Sequence, residues 1–210
     1  MGTSAIRCVY MVSGAVLSGF TITNGHTRTS GEWAWDRPGG GIKCEKLGSS
    51  ASVSNCIIRG NKASSHGGGM DYGRLYNCLV MENSVDFQGG GVHDAECHSC
   101  TIVNNSAGPW AGGACQGTNH LYNCIVYGNS AGGSGSSNHL ESTFFNSCTA
   151  PDPGGTGNIT EDPEFKDADG GDYHLGLNSP CINAGTNVDL RGPLDLEGNP
   201  RILSDVVDMG

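Results

Sequence analysis

The sequence predicts an all-β chain wound as a parallel β-helix, a solenoid of about 22–24 residues per coil, on three observations. The phrase Asn55-Cys56-Ile57-Ile58-Arg59-Gly60-Asn61 returns over 77–83, 99–105 and 123–129, its cysteine stepping by 22, 22 and 24 residues, with a weaker copy 24 further on at Cys148. A glycine phrase rides on the same period: Gly39-Gly40-Gly41-Ile42, Gly67-Gly68-Gly69-Met70, Gly89-Gly90-Gly91-Val92 and Ala111-Gly112-Gly113-Ala114. No apolar pattern of helical period fits inside a unit, and helical solenoids need longer units.

Each unit reads as turn, glycine run, short apolar strand, polar turn and a second short strand closing on Asn. Neighbouring coils then stack at about 4.8 Å, the ordinary spacing of paired strands. Residues 1–24 supply incomplete first rungs, with Phe20 and Ile22 in the inward places later held by Cys and Ile. The period then breaks, because Phe20 to Cys56 is 36 residues. The excess is the polar segment Gly25 to Pro38, which holds Trp33 and Trp35 beside Glu32, Asp36 and Arg37. An insertion on one coil becomes a loop on one face, often the binding face.

Cys56, Cys78, Cys100 and Cys124 occupy one equivalent position and are expected as an inward ladder of free thiols, alternating with outward Ile57, Leu79, Thr101 and Ile125. Parallel stacked side chains would have to rotate to form disulfides. The one C-x-x-C pair, Cys97 and Cys100, is expected to divide between a turn and the ladder, which argues against a metal site. Asn61, Asn83, Asn105 and Asn129 close successive units, where an amide can bond both to backbone and to the next Asn. The solenoid is expected to span 1–157 and to lose its pattern in the Gly/Ser-rich stretch after Ser130. Residues 158–210 form an irregular segment that packs on it or caps it.

With 21 acidic against 11 basic residues the chain carries a formal charge of −10, which disfavours nucleic acid and anionic membranes as partners. No run of 18 apolar residues predicts membrane insertion. The first residues read as a coil strand rather than a signal peptide, so the chain is expected to be part of a longer exported protein, without its signal and anchor.

The last segment carries Asp162-Pro163-Glu164-Phe165, Gly171-Asp172-Tyr173-His174-Leu175, Ser179-Pro180-Cys181-Ile182-Asn183-Ala184-Gly185, Gly198-Asn199-Pro200-Arg201-Ile202 and Val207-Asp208-Met209-Gly210. It resembles the closing segment of bacterial surface β-helix proteins of the choice-of-anchor type, and the glycine and Asn phrases are similar to repeats of polymorphic outer-membrane proteins. The resemblance implies a right-handed parallel β-helix, export and attachment to a cell surface, and no particular activity.

Three sets of residues are candidates for function. Lys43, Asp71, His93 and Cys115 follow the inward residue after each glycine phrase and are expected outward in a row, where a base, an orienting carboxylate and a cation would serve glycosidic cleavage or proton abstraction. His66, Gln88 and Trp110 align just before the triplets, and Asp94, Glu96 and His98 cluster on the third coil. Aromatics beside carboxylates suit a sugar groove. Asp167, Asp169 and Asp172 with Gly170 look like an oxygen-rich calcium loop, but the later glutamate of an EF-hand is missing, acidic turns with Gly are common, and a structural turn is the preferred reading. No other cofactor is suggested.

Two functions follow. The first is a non-catalytic exported surface module that binds a polysaccharide or cell-surface glycan, with Trp33, Trp35, Glu32, Asp36, Arg37 and Trp110 as ligand-binding residues. The second is a polysaccharide lyase or glycosidase with its site on the outer face of the coils. Neither the calcium and arginine pattern of pectate lyases nor the paired Asp of polygalacturonases is recognisable. The loop has two readings as well, a platform for ligand or a cap folded over the first rung.

Overall fold

A computed structural model describes residues 5–46, 48–115, 120–133, 135–188, 190 and 192–210. The chain is all-β with parallel strands stacked in coils, a β-solenoid of about four turns. Each inner coil holds four short strands rather than two, for example Met70–Asp71, Arg74–Tyr76, Leu79–Met81 and Ser84–Val85, and the first and last hold three. Strands of two or three residues are all that such a tight coil allows, and left-handed corners turn the chain between them. These corners fall on Asn55, Asn77, Ser99 and Asn123, each just before its cysteine, and on Gly60, Glu82, Asn104 and Gly128, each just before the closing Asn.

Stacking the coils gives four sheets. The first runs from Val9–Met11 through Ile42–Cys44, Met70–Asp71, Val92–His93 and Ala114–Cys115 to His139–Leu140. The second extends from Val16–Ser18 to Thr143–Phe145 and the third from Thr21–Thr23 to Cys148–Thr149, while a fourth of four strands starts at Lys62–Ala63. Register carries each sequence column into a spatial one, as in Ile57, Leu79, Thr101 and Ile125, paired in that order.

The core is a stack of narrow layers. Ile58, Val80, Ile102 and Val126 form one column, Val53, Leu75, Cys97, Leu121 and Phe144 another, all at most 1% exposed. Cys56, Cys78, Cys100 and Cys124 form the inward ladder, and all ten cysteines are free, with Cys8 alone exposed. Two expectations change. Cys97 lies on the strand Glu96–His98 rather than on a turn. Cys148 pairs with Ile125, so it stands one place beyond the ladder, and Ser147 takes the cysteine's place, its Oγ accepting from Cys124 N at 2.9 Å. Ile22 is inward as expected, whereas Phe20, on the outermost rung, is 58% exposed.

The closing asparagines bond as a continuous ladder. Asn61 Nδ2 donates to Asn83 Oδ1 at 2.9 Å, Asn83 to Asn105 at 3.0 Å, Asn105 to Asn129 at 3.0 Å, and Asn129 to Asn138 at 3.2 Å. Each backbone N–H in the series also donates to the next Oδ1, and each amide donates to a carbonyl such as Ile58 O or Val80 O.

The final segment does two things. Thr156 and Ile159 bridge to Phe145 and Cys148, covering the last coil. An antiparallel hairpin, Phe165–Asp167 with Asp172–Leu175, and the irregular chain after it then run back along the third sheet. Asn123 exchanges two 2.8 Å bonds with the Thr186 backbone, and Arg201 Nη2 donates to Asn77 Oδ1 at 2.8 Å. Cys181 and Met209 pack with Ile125 and Cys148 in a second small core. The outward column is therefore partly covered, and Ile125 is only 1% exposed.

Two outcomes follow. Asn83→Ala should cost about 3–5 kcal/mol in urea unfolding, since it orphans several buried partners at about 1–3 kcal/mol each. Titration with a thiol reagent should modify Cys8 in the native protein and all ten cysteines after denaturation; native reaction of the Cys56 to Cys124 ladder would contradict its burial.

Candidate functional site

The row after the glycine phrases is in register, with Lys43 paired to Asp71, Asp71 to His93, and His93 to Cys115. It is not open to solvent as expected. Lys43 and Asp71 are 1% exposed, His93 5% and Cys115 0%, although they alternate with Ile42, Met70, Val92 and Ala114, which belong to the core.

The physical reason lies in the first glycine of each phrase, which takes φ of +67° at Gly39, +59° at Gly67 and +70° at Gly89 and turns the chain back over the row. A Cβ at these positions would stand 2.8, 2.9 and 3.0 Å from the Cβ of Lys43, Asp71 and His93. The glycines thus do more than form corners: they let backbone close over polar side chains.

Inside this cover the groups satisfy one another. Lys43 Nζ pairs with Asp71 Oδ2 and lies 3.9 Å from the centroid of the Tyr72 ring. His93 Nδ1 donates to Asp71 Oδ1 at 2.6 Å, which leaves Nε2 to accept from Gln88 Nε2 at 3.2 Å. The imidazole is held in one tautomer by a carboxylate, as in a general base, but with no access for a substrate. Burial, then the charge of Asp71, pushes the Tyr72 phenol up to about 12. The His66 ring lies tilted by 32° over His93, 4.4 Å between centroids, and burial above all lowers it to about 4, so it is neutral at physiological pH.

Over this row the loop Gly25 to Pro38 lies against the flank of the coils. His66, Gln88 and Trp110 do stack, joined by parallel bridges. Trp33 packs edge-on against His66 and Phe87, with centroids 5.7 and 5.6 Å away, and Phe87 continues to Trp110 at 5.0 Å. The Arg37 guanidinium sits 5.0 Å from the Trp33 ring centroid. Asp36 accepts from Glu32 N at 3.0 Å and faces Arg28 at 3.7 Å, ordering the turn that carries the indoles. Arg7 anchors its far end, donating to Trp35 O at 3.0 Å and Pro38 O at 2.7 Å. Trp33, Trp35 and Trp110 remain 47%, 52% and 38% exposed, so the loop does not cap the first rung. It forms an open aromatic strip along several coils.

The other candidates are dispersed. His98 bonds Glu96 at 2.8 Å and Glu96 meets Arg74 at 3.2 Å, whereas Asp94 lies by His93, 3.9 Å from its Nδ1. Asp167 Oδ1 accepts from Gly170 N at 3.0 Å and Asp172 Oδ1 from His174 N at 3.0 Å, so both serve the hairpin turn. Among the described residues no group of three or more His, Cys, Asp or Glu could hold a metal ion, Asp167, Asp169 and Asp172 included. A cleft of about 560 Å³ lies between the third sheet and the final segment, lined by Leu79, Tyr173 and Arg201 among others. Its charged rim is turned inward on itself, as His174 Nε2 meets Glu197 at 3.1 Å.

Two features escaped the sequence reading. Phe87, at the centre of the strip, stands one place before the aligned column. Tyr76, His98, Tyr122 and Phe145 form a face-to-face stack outside the second sheet, with centroids 5.0, 4.7 and 4.9 Å apart. Their recurrence at the repeat spacing was the available signal. No protein-family profile matches the chain, and no curated protein or solved structure is detectably similar to it.

Removing one member of the sealed pair should be costly and removing both less so. Asp71→Ala, which strands the Lys43 ammonium and His93 Nδ1, should destabilise by about 3–5 kcal/mol, and Lys43→Met with Asp71→Leu, which leaves only His93 Nδ1 unpaired, should recover about half of that in the same urea titration.

Proposed function

We propose that this chain is a non-catalytic exported surface module that binds glycans along its aromatic flank. The observation that carries the reading is the strip of Trp33, Phe87 and Trp110, which runs across several coils with both indoles half-exposed, Trp35 beside it. Apolar ring faces and edges against sugar C–H surfaces, with Glu32, Asp36 and Arg37 nearby to fix hydroxyls, are the ingredients of a saccharide site. The charge of −10 favours a neutral or cationic polymer over a polyuronate. The tail's resemblance to choice-of-anchor surface proteins supports export and display on a bacterial cell surface.

A lyase or glycosidase on the outer face of the coils would need Lys43, Asp71 and His93 within reach of substrate, and all three are buried, which favours the binding reading. The test is calorimetric titration with a neutral β-glucan, chitosan and a polyuronate, together with assays for unsaturated products and new reducing ends. Binding of the first or second without product is expected. Trp33→Ala with Trp110→Ala should weaken it at least about tenfold, the loss of about 1.4 kcal/mol, and lower stability by about 1 kcal/mol. A fall of about 3–5 kcal/mol in stability with glycan binding unchanged would mark the indoles as packing alone.

A further inference from the structure

The loop from Gly25 to Pro38 carries a cation whose charge is not matched within the protein. Arg7 donates to the carbonyls of Trp35, Pro38 and Gly39, Arg28 faces Asp36, Arg74 meets Glu96, and Arg201 bonds to Asn77. The Arg37 side chain, by contrast, forms no hydrogen bond or ion pair with any of the described residues, and its Nε is buried with nothing to donate to. What places it is the Trp33 ring, whose centroid lies 5.0 Å from the guanidinium carbon. Its backbone is fixed as well, since Arg37 O accepts from Ser64 N at 3.2 Å and from Ser65 N at 3.3 Å.

Arg37 therefore stands at a set point on the aromatic flank, beside the coil that carries His66 and on the indole that packs against that ring. With Nε buried on a half-buried residue, Nη1 and Nη2 are the nitrogens left at the surface. The carboxylates about the strip do not meet them. Asp36 accepts from Glu32 N and faces Arg28, Asp86 meets Lys62 at 3.0 Å, and exposed Glu32 forms no ion pair with Arg37. Two parallel N–H donors at the end of a guanidinium match the two oxygens of a carboxylate, and such a charge-assisted pair is both strong and directional. Here that fork is free to take a carboxylate from a ligand.

We infer that Arg37 is an acid-recognising subsite on this flank, and that the ligand is a glycan of neutral backbone bearing isolated carboxylated sugars, the sugar ring against Trp33 and its carboxylate on Nη1 and Nη2. The inference rests on the reading of the strip as a glycan-binding surface. It differs from recognition of a polyuronate. A polymer charged at every unit meets the repulsion of a net charge of −10 along its whole length, whereas an isolated carboxylate meets one fixed guanidinium at short range.

The experiment is calorimetric titration with one β-glucan in three forms, unmodified, sparsely oxidised at C6 to the carboxylate, and that oxidised form methyl-esterified, with chitosan as the cationic control. The sparse acid is expected to bind the unaltered chain about ten- to hundredfold more tightly than the parent glucan, and the ester is expected to fall back to the parent's affinity. The readout for variants is the ratio of the two affinities, taken on protein shown by thermal unfolding to be folded. Arg37→Gln should bring that ratio close to unity, Arg37→Lys, which keeps the charge without the fork, should retain only part of it, and Arg59→Gln, at an exposed arginine outside the strip, should leave it unchanged. Equal binding of the three forms, a preference that survives Arg37→Gln, or binding of chitosan alone would overturn the inference and leave the strip as a binding surface. Absence of binding by every polymer would remove the strip reading and this inference together.

Discussion

The buried asparagine ladder is the constraint on which the other regularities rest. Asn83 shows the pattern: its Oδ1 accepts from the backbone and side chain of Asn61, and its Nδ2 donates to Ile58 O and to Asn105 Oδ1. A coil shifted by one residue would withdraw all of these at once and leave amides unpaired in a dry interior. The ladder also explains the third glycine of each phrase. A Cβ at Gly41, Gly69, Gly91 or Gly113 would stand within about 3 Å of the Nδ2 of Asn61, Asn83, Asn105 or Asn129. The glycine run and the closing Asn, between 14 and 20 residues apart in sequence, are two halves of one packing requirement.

Close approach of that kind keeps the coil cross-section small, and small buried thiols suit the columns that remain. The same approach on the outer side shuts Lys43, Asp71 and His93 away. A buried ion pair adds little net stability, but its members are hard to satisfy in any other register, so this row and the Asn ladder pin successive coils from opposite sides of the backbone.

The architecture was legible because its cause is periodic: a column in the sequence becomes a column in space. The Cys and Asn ladders, the bridged His66, Gln88 and Trp110, and the register of Lys43, Asp71 and His93 all followed from spacing. What spacing conveys is the side of a strand, not what covers it, and so the burial of the Lys43 row, imposed by backbone from the preceding turn, was not readable from alternation. Cys148 misled for a different reason. The irregular chain before it shifts the repeat by one, and a cysteine at the expected interval landed beside Ile125 instead. The run of the final segment along the third sheet depends on partners such as Arg201 and Asn77, 124 residues apart, for which no local pattern exists.

These properties limit where function can sit. Residues written into the repeat are committed to holding one coil on the next, and even a tautomer-fixed histidine such as His93 is used inside the wall. The proposed strip joins residues of the repeat, Phe87 and Trp110, to the largest departure from it, the segment Gly25 to Pro38. It does not float free: Arg7 fixes its end by two carbonyls, Asp36 closes its turn, and Trp33 rests on His66, whose neutral ring leans on His93. The sealed polar row therefore contributes to the flank indirectly. By packing against His66, which burial keeps uncharged, it gives Trp33 a rigid seat, and rigid aromatic surfaces lose little entropy when they take up a ligand.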